Sequence, residues 1–261
     1  MANNDTLIAL VTGANTGIGF HLTQQLARTG VRVLLGSRDT ARGSHAAGQL
    51  SADGLDVDHL TVDVTDDRTI GGAVEHVAAT YGRLDILINN AAIVGDGLPA
   101  SKVSRASLPQ TFDTNAAGIV AVTNAFLPLL RKSGSPRVLN VSSELGSTRL
   151  VNDPDWAHSS VAAAAYQASK SALDMLTVLY AKELAHEKIS VLSVSPGYRA
   201  TGLSKANPCR VPAIPPRVRP ASWPLRWPPG PPPASSSIGR ARWSIGDRFT
   251  AGTACGSCTS R

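Results

Sequence analysis

The chain has 261 residues, 43% hydrophobic and 17% charged, a globular composition that excludes a wholly disordered or collagen-like polypeptide. No apolar run approaches the roughly 18 residues needed to cross a bilayer, and residues 1–5 carry no basic start of a secretory signal, so the sequence predicts a cytoplasmic protein without a membrane partner. The formal charge of +6 suggests nucleic acid or an acidic surface if taken whole, and its distribution argues against that.

In chain order, residues 7–11 form an apolar strand run ending in a Gly-rich turn. Residues 18–28 have helical spacing, 31–35 are a second apolar run, and 40–50 are helical in composition. Residues 57–64 read as a strand, and 66–81 read as a helix opening on two acids, the favourable sign for a helix start. A third apolar run lies at 84–88. A long helical region covers 104–130, a strand covers 137–141, a helix covers 161–186, and a last strand covers 189–194. Six strands alternating with helices predict an α/β fold with a parallel sheet and helices on both faces. The runs at 7–11, 31–35 and 84–88 are continuous or nearly so rather than alternating, as strands buried on both sides are.

The first strand-to-helix turn reads Thr12-Gly13-Ala14-Asn15-Thr16-Gly17-Ile18-Gly19. Glycines there let backbone N–H groups approach a pyrophosphate while the helix N-terminus faces its charge. Such glycines also occur in ordinary strand–helix turns. The second strand ends in Ser37-Arg38. In dinucleotide folds an acid near this point holds the ribose of NAD, and an Arg accommodates the 2′-phosphate of NADP. Arg38 therefore favours NADP(H) over NAD(H), although Asp39 beside it could partly neutralise its charge. Asp63, with Val64 after it, ends the third strand, at the sheet edge where such folds bind ligands. An adenine contact and a helix cap are the two readings of Asp63.

Tyr166 and Lys170 stand four apart in a helical stretch and so share a face. A phenol titrates near 10, and a fixed ammonium nearby favours the phenolate. The pair can then exchange a proton with a carbonyl oxygen. The fifth strand ends in Ser142-Ser143, where a hydroxyl can hydrogen-bond an oxygen that gains charge. Each feature alone is also ordinary structural chemistry.

Together, in order, TGANTGIG at 12–19, Asp63-Val64, Asn89-Asn90-Ala91-Ala92, Asn115, Ser143, Tyr166 with Lys170, and Pro196-Gly197 resemble the short-chain dehydrogenase/reductase family. The resemblance covers residues 7 to about 203, and its wording is similar to the carbonyl-reductase-like members. It implies a Rossmann-like doubly wound sheet of order 3-2-1-4-5-6 and hydride exchange between NADP(H) and a small-molecule ketone, aldehyde or alcohol. In that reading Gly13, Asn15, Thr16, Gly17, Ile18, Gly19, Arg38, Asp63, Val64, Asn90, Pro196 and Gly197 line the cofactor. Thr201, in the Pro-Gly-x-x-x-Thr pattern, binds the nicotinamide carboxamide. Tyr166 is the proton donor, and Lys170 lowers its pKa and holds the nicotinamide ribose. Ser143, which begins the S-x-x-G pattern, orients the substrate carbonyl. Asn115 holds a water that links Lys170 to solvent. The regions 104–130 and 161–186 are where family members often pair, which leaves a homo-oligomer open.

Three departures from the family stand out. Ala92 replaces the Gly of NNAG, which matters only if that residue needs φ > 0. Ser143 and Tyr166 are 23 positions apart, with a polar loop between them in which Trp156 and His158 read first as solvent-facing. The largest departure begins after Lys205. Residues 1–205 carry a net charge of −1, whereas 206–261 carry eight Arg and one acid, Asp247, a net of +7. That segment also holds 11 of the 17 prolines and all three cysteines. Two parts follow: a dinucleotide-binding domain at 1–205 and a Pro/Arg-rich tail at 206–261 whose composition predicts disorder. Coding sequence read out of frame is one source of such a switch. The tail shows neither the substrate helices nor the seventh strand of the family, so a catalytically impaired dinucleotide-binding protein is the alternative reading. Cys255 and Cys258 form a CxxC, but only Cys209 is left to join them in the tail, too few ligands for zinc. The tail offers no platform for reading bases, so no specific nucleic acid is expected.

Overall fold

The computed structural model describes residues 6–197 of the chain. Their elements run β1 (Ile8–Val11), α1 (Gly17–Arg28), β2 (Arg32–Ser37), α2 (Thr40–Ala52), β3 (Val57–Thr61), α3 (Asp67–Tyr81), β4 (Ile86–Asn89), α4 (Leu108–Phe112), α5 (Gly118–Leu130), β5 (Arg137–Val141), α6 (Thr148–Val151), α7 (Ala164–Glu183) and β6 (Ser190–Val194). The strands form one parallel sheet in the order β3-β2-β1-β4-β5-β6. This is the Rossmann-like order that the family resemblance implies. Among the described residues β6 pairs only with β5. The position of a seventh strand, Thr201 and all of 206–261 lie outside the described residues.

Successive residues of β1 point to opposite faces, as strand geometry requires. Ala9 and Val11 pack with Leu26 of α1 and Ala46 and Leu50 of α2, while Ile8 and Leu10 pack with Ile70 and Val77 of α3 and Val122 and Phe126 of α5. The two cores explain the continuous apolar runs: β1, β2 and β4 have helices above and below. Helix starts follow local chemistry. Asp39 caps α2 by accepting from Arg42 N–H at 2.9 Å, and Asp66 caps α3 by accepting from Arg68 N–H at 3.0 Å. Side-chain oxygens of this kind satisfy donors that a helix leaves unpaired.

Two predicted elements differ. The strand predicted at 57–64 ends at Thr61, and Val62, Asp63 and Val64 lead out of the sheet toward the cleft. The helix predicted at 104–130 is three pieces: α4, a π-helical turn at Asp113–Ala117, and α5. The π turn adds one residue per hydrogen-bonded ring and places Asn115, which is fully buried, on the side of the chemistry.

Candidate active site

The carboxyl ends of the strands open onto a cleft of about 450 Å³. It runs from Arg38 and Asp63 past the Gly-rich turn to Ser143, Tyr166 and Lys170.

At the first end, Gly13 has φ +61° and a Cβ there would lie 2.8 Å from Ala91 Cα. At Gly19 a Cβ would meet Asn90 Nδ2 at 2.5 Å and Gly13 O at 2.8 Å. Only glycine lets the turn fold this tightly against β4 and still bring its backbone to the cleft. Asn90 locks it: Nδ2 donates to Thr12 O at 2.9 Å and Gly13 O at 3.1 Å, and the Asn90 N–H donates to Thr12 Oγ1 at 3.0 Å. Thr16, the N-cap of α1, makes no side-chain cap bond, so the first turn of α1 keeps backbone donors for an anion. Asn15, Thr16, Gly17, Ile18 and Asn90 all line the cleft, as do Val64, Pro196 and Gly197. The residue at the family's Gly position, Ala92, has negative φ, so that departure costs the turn nothing. A tight glycine cradle, an uncapped helix start and a basic residue at the end of β2 fit a phosphorylated dinucleotide.

Arg38 is exposed on the rim of this cleft. The neighbouring Asp39 pairs with Arg42 instead. The Asp39 carboxylate takes Arg42 Nε at 2.8 Å and the Arg42 N–H, and these bonds hold it below the usual carboxylate range. Arg42 also lines the cleft, a residue that sequence reasoning passed over; its position on the first turn of α2, three after a capping acid, was the available signal. Asp63 lines the cleft too, with Oδ1 accepting from the Thr65 N–H at 3.0 Å and the Thr65 hydroxyl at 2.8 Å.

At the other end, α7 carries Tyr166 and Lys170 one turn apart. Lys170 is 2% exposed and its Nζ donates to Val141 O at 2.7 Å. Burial pulls the ammonium down to about 8, with Asp174 pulling the other way. Nζ lies 5.8 Å from the centre of the Tyr166 ring. The phenol itself is pushed above its ordinary 10 by burial, and the Ser143 side chain beside it opposes that rise. The ammonium is thus held between the Val141 carbonyl and the Tyr166 ring, with the Ser143 side chain on the phenol's other flank. Ser143 Oγ also accepts from the Leu145 N–H at 3.2 Å. Ser142 is buried, with an Oγ that finds no partner among the described residues.

A profile of the short chain dehydrogenase family matches residues 7–209. This chain belongs to the short-chain dehydrogenase family. It is accordingly an oxidoreductase. It is 36% identical over 200 residues to the short-chain dehydrogenase anuI of Penicillium roqueforti, covering 74% of this chain and 79% of the relative. Among solved structures it is similar to a variant of actinorhodin polyketide ketoreductase with NADPH (TM-score 0.68, 30% identity, 78% of this chain and 75% of that one). It is also similar to a metagenomic short-chain oxidoreductase in complex with NADP (TM-score 0.63, 30% identity, 74% and 82%).

In this dehydrogenase Asn115 does not present a free side-chain amide. Its Nδ2 donates to Ile93 O at 2.8 Å and Ser169 Oγ at 3.0 Å, and its Oδ1 accepts from the Ile93 N–H at 2.8 Å. Ser169 Oγ passes its own hydrogen to Tyr166 O at 2.7 Å. Asn115 thus ties the segment after β4 to the turn that bears Tyr166. Trp156 and His158 also differ from the solvent-facing expectation: both are half-buried and line the cleft.

Proposed function

We propose that this short-chain dehydrogenase is an NADP(H)-preferring reductase that converts a ketone or aldehyde to an alcohol, or the reverse, with Tyr166 as the proton donor. One observation carries the reading. The side chains of Tyr166 and Ser143 line the same cleft whose other end holds the glycine cradle and Arg38.

When bound, the nicotinamide cofactor supplies the hydride. The protein's part is position and a proton. The two hydroxyls bind the carbonyl oxygen, and the charge that develops there is met by donors already in place. In reduction the Tyr166 hydroxyl gives its proton to that oxygen. The raised phenol pKa keeps this proton on Tyr166 at neutral pH. Lys170, buried beside the ring, supplies the positive charge that steadies the phenolate once the proton has gone. Asn115 and Ser169 hold the backbone at Tyr166, and Gly13, Asn15 and the first turn of α1 hold the pyrophosphate. The exposed guanidiniums of Arg38 and Arg42 supply charge-assisted hydrogen bonds for a 2′-phosphate.

The test is a fluorescence titration with NADPH and NADH joined to a screen of carbonyl substrates. NADPH binding tighter than NADH, with turnover of ketones or aldehydes, is the expected result. Binding without turnover of any carbonyl supports the catalytically impaired alternative, and absence of cofactor binding overturns both.

A further inference from the structure

The loop between Ser143 and Tyr166 is built rather than slack. Asp155 N–H donates to Asp153 Oδ1 at 3.0 Å, and Trp156 N–H donates to Asp153 O at 3.1 Å. Ser159 N–H returns to Trp156 O at 2.9 Å, and Val161 N–H returns to His158 O at 3.1 Å. Its end is anchored by the Ala164 N–H on Leu98 O at 2.9 Å. These successive turns bring two rings together: Trp156 and His158 meet edge to face, with centroids 5.3 Å apart and planes at 86°. Both line the cleft together with the apolar side chains of Ile93, Val94, Leu145 and Val161, while Ser143, Glu144 and Tyr166 supply its polar side chains there.

We infer that the Trp156–His158 pair is the specificity wall of the substrate site and selects ring-bearing carbonyl compounds, cyclic or aryl ketones, over open-chain ones. This rests on the proposed carbonyl reduction. Four apolar side chains and an indole are best covered by a rigid apolar body, which gives up little conformational freedom on binding. Two rings already in edge-to-face contact present both a positive edge and a negative face, so a third ring gains directional contact that an alkyl chain cannot make. The reacting oxygen stays with Tyr166 and Ser143.

The test compares 1-tetralone with octan-2-one under NADPH. Wild type is expected to favour tetralone at least about tenfold in kcat/KM, a contrast within reach of one well-placed ring contact and its buried area. Trp156→Leu, which keeps apolar bulk, is expected to lower that ratio at least about fivefold, mainly through KM, and Trp156→Phe to restore most of it. Equal activity on the two ketones in wild type, or an equal loss on both in Trp156→Leu, overturns the inference and leaves the reductase reading intact. Binding is read separately, as tetralone quenching of indole fluorescence with NADP+ present, in wild type against Trp156→Phe. Trp156-dependent quenching without turnover of either ketone sustains the wall and overturns the proposed reaction. Absence of that quenching overturns the wall.

Discussion

Lys170 Nζ donates a 2.7 Å hydrogen bond to the carbonyl of Val141, the last residue of β5. The bond crosses from helix to sheet, with Lys170 almost fully buried. It fixes the ammonium where a strand ends, and so fixes the helix face that carries Tyr166 against the edge that carries Ser143. A buried cation held by one carbonyl costs stability, and the cost has a pH signature.

Burial lowers Lys170 from 10.5 to about 8. Below pH 8 the group is protonated in both folded and unfolded chains, so the full cost of the buried charge is present. Between pH 8 and 10.5 the unfolded chain holds the proton more tightly, and stability therefore rises with pH. Relative to Lys170→Met, wild type should gain up to about 3 kcal/mol across that window. Urea unfolding of both proteins from pH 7 to pH 10 reads it directly. A flat or falling difference would show that Lys170 is not desolvated as described.

Much of this architecture is legible in the sequence, because strands such as Ile8–Val11 and Arg32–Ser37 carry near-continuous apolar runs and helices stand between them. The glycine cradle and the Tyr166–Lys170 turn are legible for the same reason: spacing alone fixes which residues share a surface. Pairings set by rotamers are not. Arg38 and Asp39 are neighbours in sequence, yet the carboxylate turns to Arg42 because capping α2 satisfies a backbone donor as well as a charge. The π turn at Asp113–Ala117 interrupts a stretch whose composition is helical throughout. Trp156 and His158 lie in a loop without periodicity, where no spacing rule says which side chains face inward.

The separation of Arg38 from Asp39 makes a prediction about cofactor choice. Arg38→Ala should weaken NADPH binding by about tenfold or more, the worth of a charge-assisted contact, and change NADH binding by less than about threefold. Arg42→Ala should act in the same direction for two reasons. It removes a cation from the cleft, and it releases the Asp39 carboxylate, which then competes for Arg38. Fluorescence titrations with both nucleotides check this, and an equal loss for NADPH and NADH would rule out the phosphate role.

For the chemistry, Tyr166→Phe should lower kcat by about 10²–10⁴, the usual worth of a positioned acid, with a far smaller change in NADPH affinity. Ser143→Ala removes the hydroxyl that opposes the rise of the phenol pKa. Alcohol oxidation needs the phenolate, so its rate in Ser143→Ala should rise only at a higher pH than in wild type. Carbonyl reduction needs the protonated phenol and should lose rate without that displacement. Initial rates in both directions against pH test the pair. An oxidation profile unmoved by Ser143→Ala would mean the serine does not tune the tyrosine.

The last prediction concerns the buried relay from Asn115 through Ser169 to the backbone of Tyr166. Ser169 and Asn115 are both fully buried, so Ser169→Ala leaves an Asn115 N–H without an acceptor and frees the Tyr166 carbonyl. Leaving a buried donor unmet costs about 1–3 kcal/mol, and urea unfolding should show a loss of that size. Ser169→Thr keeps the hydroxyl and should recover part of it. A purely structural role would stop there. Because the hydroxyl holds the turn that aims the phenol, Ser169→Ala should also lower kcat several-fold while KM for the carbonyl substrate moves little, since a small misplacement of a reacting group costs rate. Stability lost with kcat untouched would confine Ser169 to the core.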